Sequence, residues 1–228
     1  MRLVFATNNA HKLEEVRRIL PPTCEVMSLR DIGFNADIPE TGTTLDENSR
    51  QKAEAVSLWL KSKVESQKSK DESQKSKDER LQVDGVFADD TGLEVDALGG
   101  APGVYSARYA GEPANDAANR AKLLREMQGL TDRRAHFRTV VTLIRGERID
   151  RTEGIVWGRI LTEERGENGF GYDRLFVPME EDENGRGRTF AQMGEDEKNG
   201  ISHRGRAVSK MVTPPGPLSE GEISSTND

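Results

Sequence analysis

Apolar positions along this chain fall into short runs and helical stripes, and the two alternate. Residues 3–6 are an apolar run and residues 7–10 are mostly polar. Leu13, Val16 and Leu20 then recur at helical spacing, so the chain opens with a strand, a loop and a helix. Pro21-Pro22 stops that helix, because proline lacks the amide that a further turn needs. Residues 24–29 predict a second strand. Thr44-Leu45-Asp46-Glu47 has the pattern of a capping box, in which hydroxyl and carboxylate each accept from a free amide. The helix it starts runs through Lys52, Ala53 and Val56 as far as Leu60 or so. Residues 86–88 predict a strand that ends at Asp89-Asp90, and residues 115–127 a helix with Ala118, Ala121, Leu124 and Met127 in one stripe. Residues 137–144 and 155–161 are rich in β-branched side chains and predict paired strands.

Helices lie between the early strands, and both kinds of element recur throughout. That mixture favours an α/β (mixed α+β) fold built on a long twisted sheet. Two polar segments interrupt it. Glu65-Ser66-Gln67-Lys68-Ser69-Lys70-Asp71 is repeated at once as Glu72-Ser73-Gln74-Lys75-Ser76-Lys77-Asp78, and such a stretch can bury no core. It reads as a mostly solvated insertion over residues 61–82 with no catalytic role, either a mobile loop or a solvated extension of the preceding helix. Residues 180–188 form a second polar loop, and the Pro-, Gly-, Ser- and acid-rich tail, residues 212–228, reads as disordered. What remains is one domain over residues 1–211.

Composition changes this picture little. The 34% apolar and 32% charged fractions are lopsided for a globular chain, and the two polar segments account for most of the excess. A net charge of -7 disfavours general nucleic-acid binding, which calls for a basic face, but leaves room for a nucleotide held by a few local cations and a metal. Cys24 is the only cysteine, which excludes an intrachain disulfide. No apolar run approaches the roughly 18 residues of a membrane span, and the start of the chain lacks a signal-peptide pattern. A soluble, cytoplasmic protein without membrane contact is expected.

Several clusters carry candidate chemistry. Thr7-Asn8-Asn9-Ala10-His11-Lys12 lies where a strand hands over to a helix, and free amides there suit an anion. The same residues also make an ordinary helix cap. Asp89-Asp90 places two acids at the end of an apolar run, where they need cations, amides or solvent. Strand alternation points them to opposite faces, so one dominates the chemistry, and Asp90 is the choice. Asp-Thr-Gly is also good turn chemistry. Glu40 offers another carboxylate, and Asn48 and Lys52 share a helix face. Phe170-Gly171-Tyr172-Asp173 offers aromatic rings to a base and an acceptor to its edge. Ser202-His203-Arg204-Gly205 opens the last helix with donors for a ketone oxygen or a phosphate, and Lys198 is a further phosphate candidate. His136 stands outside any motif and is assigned a structural role.

Taken together, these pieces resemble the Ham1-like nucleoside triphosphate pyrophosphatases, the family that includes inosine triphosphatase. Thr7 to Lys12 matches that family's Ser/Thr-x-Asn-x-x-Lys loop. Glu40, the Thr44 to Lys52 segment, Ala88-Asp89-Asp90-Thr91-Gly92-Leu93, Leu98-Gly99-Gly100-Ala101-Pro102-Gly103, Tyr105-Ser106-Ala107-Arg108-Tyr109, Gly169 to Asp173 and Ser202 to Gly205 follow in family order. Asn8, where glycine is common, the repeat, the 180–188 loop and the tail are departures. The resemblance implies a long central mixed sheet flanked by two lobes with substrate in the cleft, and a homodimer. It implies hydrolysis of ITP, dITP and XTP to the monophosphate and pyrophosphate. Thr7, Asn8, Asn9, Ala10, His11, Lys12, Lys52 and Lys198 then hold the triphosphate. Glu40 and Asp90 hold Mg²⁺, with Asp89 a further ligand or an orienting group. Thr91, Phe170, Gly171, Tyr172, Asp173, His203 and Arg204 line the nucleoside pocket, and Asp90 orients or deprotonates the attacking water.

Overall fold

The structure, a computed structural model, describes residues 1–38, 40–68, 78–181 and 187–212. Most of the repeat, the centre of the 180–188 loop and the tail from residue 213 lie outside the described residues. Among the described residues seven strands form one sheet: β1 (Arg2–Phe5), β2 (Glu25–Met27), β3 (Gly85–Val95), β4 (Pro102–Gly103), β5 (Arg134–Arg145), β6 (Arg148–Ile160) and β7 (Phe176–Pro178). Their order is β2-β1-β3-β5-β6-β7, with β4 against β3. Around them pack α1 (Ala10–Ile19), α2 (Leu45–Lys68), α3 (Asp116–Glu126), α4 (Glu195–Ile201) and α5 (His203–Val212). β1 pairs parallel with β2 and β3, whereas β3, β5, β6 and β7 are antiparallel. The expected mixed fold on a long central sheet is what the structure has.

Alternation along β3 decides which way each side chain faces. Val86 and Ala88 bury against α2 together with Val4, Ala53 and Val56, while Phe87 buries on the other face with Val16, Ala207 and Val208 of α1 and α5. Leu93 and Val95 continue into a third cluster with Leu123, Phe137 and Phe176. The outer edge of β3 is paired in two places. β1 pairs with it as far as Phe87, and β4 pairs with it from Leu93. Residues 88–92 lie between those two pairings, and the cleft opens there.

Several elements run longer than expected. β3 continues through Asp89, Asp90, Thr91 and Gly92 instead of turning, because β5 pairs with its inner edge without a break from Val86 to Val95. The capping box forms as read: Glu47 Oε2 accepts from the Thr44 amide at 3.1 Å and Thr44 Oγ1 accepts from the Glu47 amide at 3.1 Å. α2 then passes Leu60, where its buried stripe ends, and reaches Lys68 through the first residues of the repeat. Glu, Gln, Lys and Ser tolerate a helix without burial, and Glu65 and Ser66 are exposed there. Ser202 opens the last helix as expected, by capping it: its hydroxyl accepts from the Gly205 amide at 2.9 Å and its carbonyl from the Arg206 amide at 2.9 Å. It also ends α4, so α5 begins at His203.

α5 lies directly on β6. A Cβ added to Gly154 would stand 2.0 Å from the His203 carbonyl oxygen and 2.6 Å from the Ala207 amide nitrogen. Neither backbone atom can yield without moving the helix that carries His203 and Arg204. Gly154→Ala is therefore expected to cost about 1–3 kcal/mol or more in urea unfolding. An unchanged midpoint would contradict this close approach.

Candidate active site

A cavity of about 780 Å³ fills the gap beside β3. Ala6, Thr7, Asn8, Asn9 and Lys12 form one wall, where β1 ends and α1 begins. Asn9 caps α1 by accepting from the Lys12 amide at 3.1 Å, and the Thr7 hydroxyl accepts from the Asn9 amide at 3.1 Å, so the loop is held by its own side chains. Glu40 and Lys52 form a second wall, Asp90 and Thr91 the floor, and Phe170 to Asp173 with Lys198, His203 and Arg204 the far side.

The two adjacent acids lie in different surroundings. Asp90 faces α2, where its Oδ1 accepts from Lys52 Nζ at 3.1 Å and its Oδ2 from Asn48 Nδ2 at 3.2 Å. Lys52 Nζ also donates to Glu40 Oε1 at 2.6 Å, so one ammonium joins two carboxylates. Burial pushes the Asp90 carboxyl above the ordinary range, and the positive charges of Lys52 and Lys12 offset only part of this. Burial would also raise Glu40, but Lys52 outweighs it and holds that group low. Burial likewise works against charge on Lys52, yet Asp90, Asp89 and Glu40 keep its pKa above normal.

Asp89 faces α1 and α5 and is closed off from the cavity. Its Oδ1 accepts from Lys12 Nζ at 2.9 Å, and its Oδ2 from Arg204 Nε at 3.0 Å and the Thr91 hydroxyl at 3.3 Å. Burial alone would raise its pKa, but Lys12, Arg204 and Lys52 outweigh that and hold it well below the usual carboxylate range. Both of its oxygens accept from cations, the surroundings of an orienting group, which is one of the two roles expected of it. Arg204 also donates to Glu15, and Lys198 Nζ donates to Glu15 Oε1 at 2.6 Å and to Asp173 Oδ2 at 2.8 Å. Asp173 further accepts from the Phe170 amide at 2.9 Å. His203 Nδ1 shares a hydrogen bond of 2.6 Å with Thr139 Oγ1, and Thr139 one of 2.8 Å with Thr91. Burial, with Arg204 and Lys198 nearby, depresses the His203 pKa far enough to leave the ring neutral.

A polar cavity at the end of a parallel strand pair, ringed by lysines and carboxylates, suits a phosphorylated ligand. The model of the Ham1 family matches residues 3–214. The chain belongs to the Ham1 family. It is 43% identical over 215 residues to a dITP/XTP pyrophosphatase of Clostridium perfringens, covering 92% of this chain and 95% of that one. A dITP/XTP pyrophosphatase of Porphyromonas gingivalis is 45% identical over 211 residues, with 92% and 95% covered. Among solved structures, the Ham1 protein of Staphylococcus aureus superposes with a TM-score of 0.73 at 35% identity, over 92% of this chain and 96% of its own.

Within this Ham1 fold, most sequence-predicted residues meet around one cavity, but not all. Ala10, His11 and Asp89 do not line it. His11 turns away from the loop and stacks on Phe170, with ring centroids 5.5 Å apart. Tyr172 is buried and donates from its hydroxyl to the Ser106 carbonyl at 2.9 Å, which ties the aromatic loop to the turn that follows β4. His136 has the structural role expected of it: its Nε2 lies 2.7 Å from Glu94 Oε2 and its ring against Trp157. Sequence reasoning missed Glu15, which joins Lys198 to Arg204. Its signal was its place three residues after Lys12 on the same face of α1.

Opposite predictions follow for the two acids. Asp89 has a lowered folded pKa, so its stabilisation is complete above the ordinary aspartate value and fades as pH falls below it toward the folded value. Asp90 has a raised folded pKa, so its ionised form costs stability near neutrality, and the cost lifts as pH falls through that value. In denaturant unfolding at pH 7, Asp89→Asn should lose about 3–5 kcal/mol by leaving Lys12 without its anionic partner and Arg204 with Glu15 alone. Asp90→Asn should be neutral or stabilising. Equal losses from both would refute the distinction.

Proposed function

We propose that this chain hydrolyses dITP, ITP and XTP to the nucleoside monophosphate and pyrophosphate, by attack of water on the α-phosphate. The observation that carries this reading is Asp90, a cavity-lining carboxylate beside Lys52 whose raised pKa suits a proton acceptor. Membership of the Ham1 family and the pyrophosphatase relatives supply the substrate class. On this reading Thr7, Asn8, Asn9, Lys12 and Lys52 receive the triphosphate, and Asp90 orients the water and takes its proton. Lys52, poised between two acids, moves its charge to the phosphates when they arrive.

Glu40 and Asp90 would hold Mg²⁺. Their two hard oxygens already converge on one positive charge, that of Lys52. Among the described residues no three His, Cys, Asp or Glu side chains form a metal cluster. Mg²⁺ needs only one or two carboxylates, because it keeps waters and shares substrate phosphates, so the residues fit it. When bound it supplies charge neutralisation to the phosphates and the departing pyrophosphate.

The nucleoside lies against Phe170, with Thr91, Gly171, Tyr172 and Asp173 around it. Lys198, expected with the triphosphate, donates instead to Glu15 and Asp173. On this reading it serves the base end, where His203 and Arg204 also line the cavity and offer donors to a 6-oxo group. Adenine offers an amino donor there instead, which leaves each buried donor unpaired at about 1–3 kcal/mol. The same reading makes the protein cytoplasmic and a homodimer. The face of the sheet that carries Asp90 also carries Trp157, 48% exposed, with Glu94, Arg138 and Glu153 beside it. Mixed charges around an aromatic centre favour a second copy of the same face, since a two-fold contact must be self-complementary. No helix among the described residues is long and apolar enough to cross a membrane.

Pyrophosphate release should be fast with ITP, dITP and XTP, slow with ATP and GTP, and abolished by EDTA. Asp90→Asn should lower kcat by about 10²–10⁴-fold. Release from none of the five would sink this reading and turn the search to modified pyrimidine triphosphates. Trp157→Lys should shift the protein to a monomer in sedimentation; a wild type that is already monomeric contradicts the homodimer.

A further inference from the structure

Phe170 separates two spaces. One side of its residue lines the main cavity, and the other lines a recess of about 240 Å³ shared with His11, Glu14, Arg18 and Asn168. Its backbone is fixed. Gly169 and Gly171 take φ of +72° and +60°, the Phe170 amide donates to Asp173 Oδ2 at 2.9 Å, and the Gly171 carbonyl accepts from Arg120 at 2.8 Å. Those bonds leave the ring itself to its neighbours, which are the cations of Lys198 and Arg204, 5.0 Å and 5.7 Å from its centroid, and the ring of His11. The His11 ring lies nearly parallel to that of Phe170, at 19° and 5.5 Å, and His11 lines the recess without lining the cavity. The contact also spans the cleft, since His11 is in the first turn of α1 and Phe170 belongs to the opposite wall.

We propose that His11 is a positioning residue for the nucleobase: it backs the Phe170 ring from the recess side, holds it ready for stacking, and does not contact the triphosphate. The proposal rests on the reading of the cavity given above, in which Phe170 stacks on the base. A ring already held loses less freedom on binding, so the gain falls on base recognition and not on the chemical step.

The test compares wild type, His11→Ala and His11→Phe. KM and kcat are measured with ITP, and inhibition with inorganic tripolyphosphate, which has phosphates and no base. His11 is exposed, so neither variant threatens the fold, and thermal midpoints check this. His11→Ala should raise KM for ITP about three- to tenfold, the range expected for one aromatic pair. Its kcat and its inhibition by tripolyphosphate should stay at wild-type values, and His11→Phe should restore KM. If tripolyphosphate inhibition weakens in step with ITP and Phe does not rescue, His11 is a phosphate ligand and the proposal is wrong. An unchanged KM in His11→Ala overturns it as well. A wild type inert toward every purine triphosphate instead overturns the reading of the cavity, and this proposal with it.

Discussion

Asp89 is buried between two cations, and the site hangs from that contact. Lys12 comes from α1, Arg204 from α5, and the carboxylate from the centre of β3. Side-chain exposures of 1% for Asp89 and 2% for Arg204 leave no water to replace a lost partner. Removing one member of such a group strands the others as unpaired charge, at a cost larger than most single contacts. The loop between β1 and α1 and the wall that carries Arg204 are therefore placed by the same side chain. Glu15 extends the arrangement to Lys198, and Lys198 extends it to Asp173 beneath Phe170. A chain of alternating charges thus runs from the start of α1 to the aromatic loop.

One residue further along β3, the surroundings invert. Alternation turns Asp90 to the α2 face, where Lys52 is shared with Glu40 and the cavity opens beside it. A carboxylate with too little positive charge around it has a raised pKa, and one with a surplus has a lowered pKa. Two adjacent residues of the same type are in this way given different tasks. Asp89 stays ionised and holds the walls. Asp90 keeps a carboxyl of raised pKa beside Lys52, on the lining of the cavity.

Much of this was legible in the residues. Strand and helix periodicity located the main elements, the capping box located the start of α2, and alternation put Asp89 and Asp90 on opposite faces. Less legible was the length of β3. Asp-Thr-Gly favours a turn locally, and only pairing with β5 and two ion clusters make a continuous strand affordable. His11 was assigned with its neighbours in the loop because spacing along a chain does not report which way an exposed ring turns. Glu15 was overlooked for a similar reason: an acid on an amphipathic helix usually faces water, and nothing in α1 alone reveals two cations arriving from the end of the chain.

The most direct test is a carbon-detected NMR titration of ¹³Cγ-labelled aspartate in wild type, Asp89→Asn and Asp90→Asn. The account predicts that Asp90→Asn removes a carboxyl that titrates above the ordinary aspartate range. It predicts that Asp89→Asn removes one that stays ionised to the lowest pH at which the fold persists. The reverse assignment, or two carboxyls that titrate together at ordinary values, would contradict it.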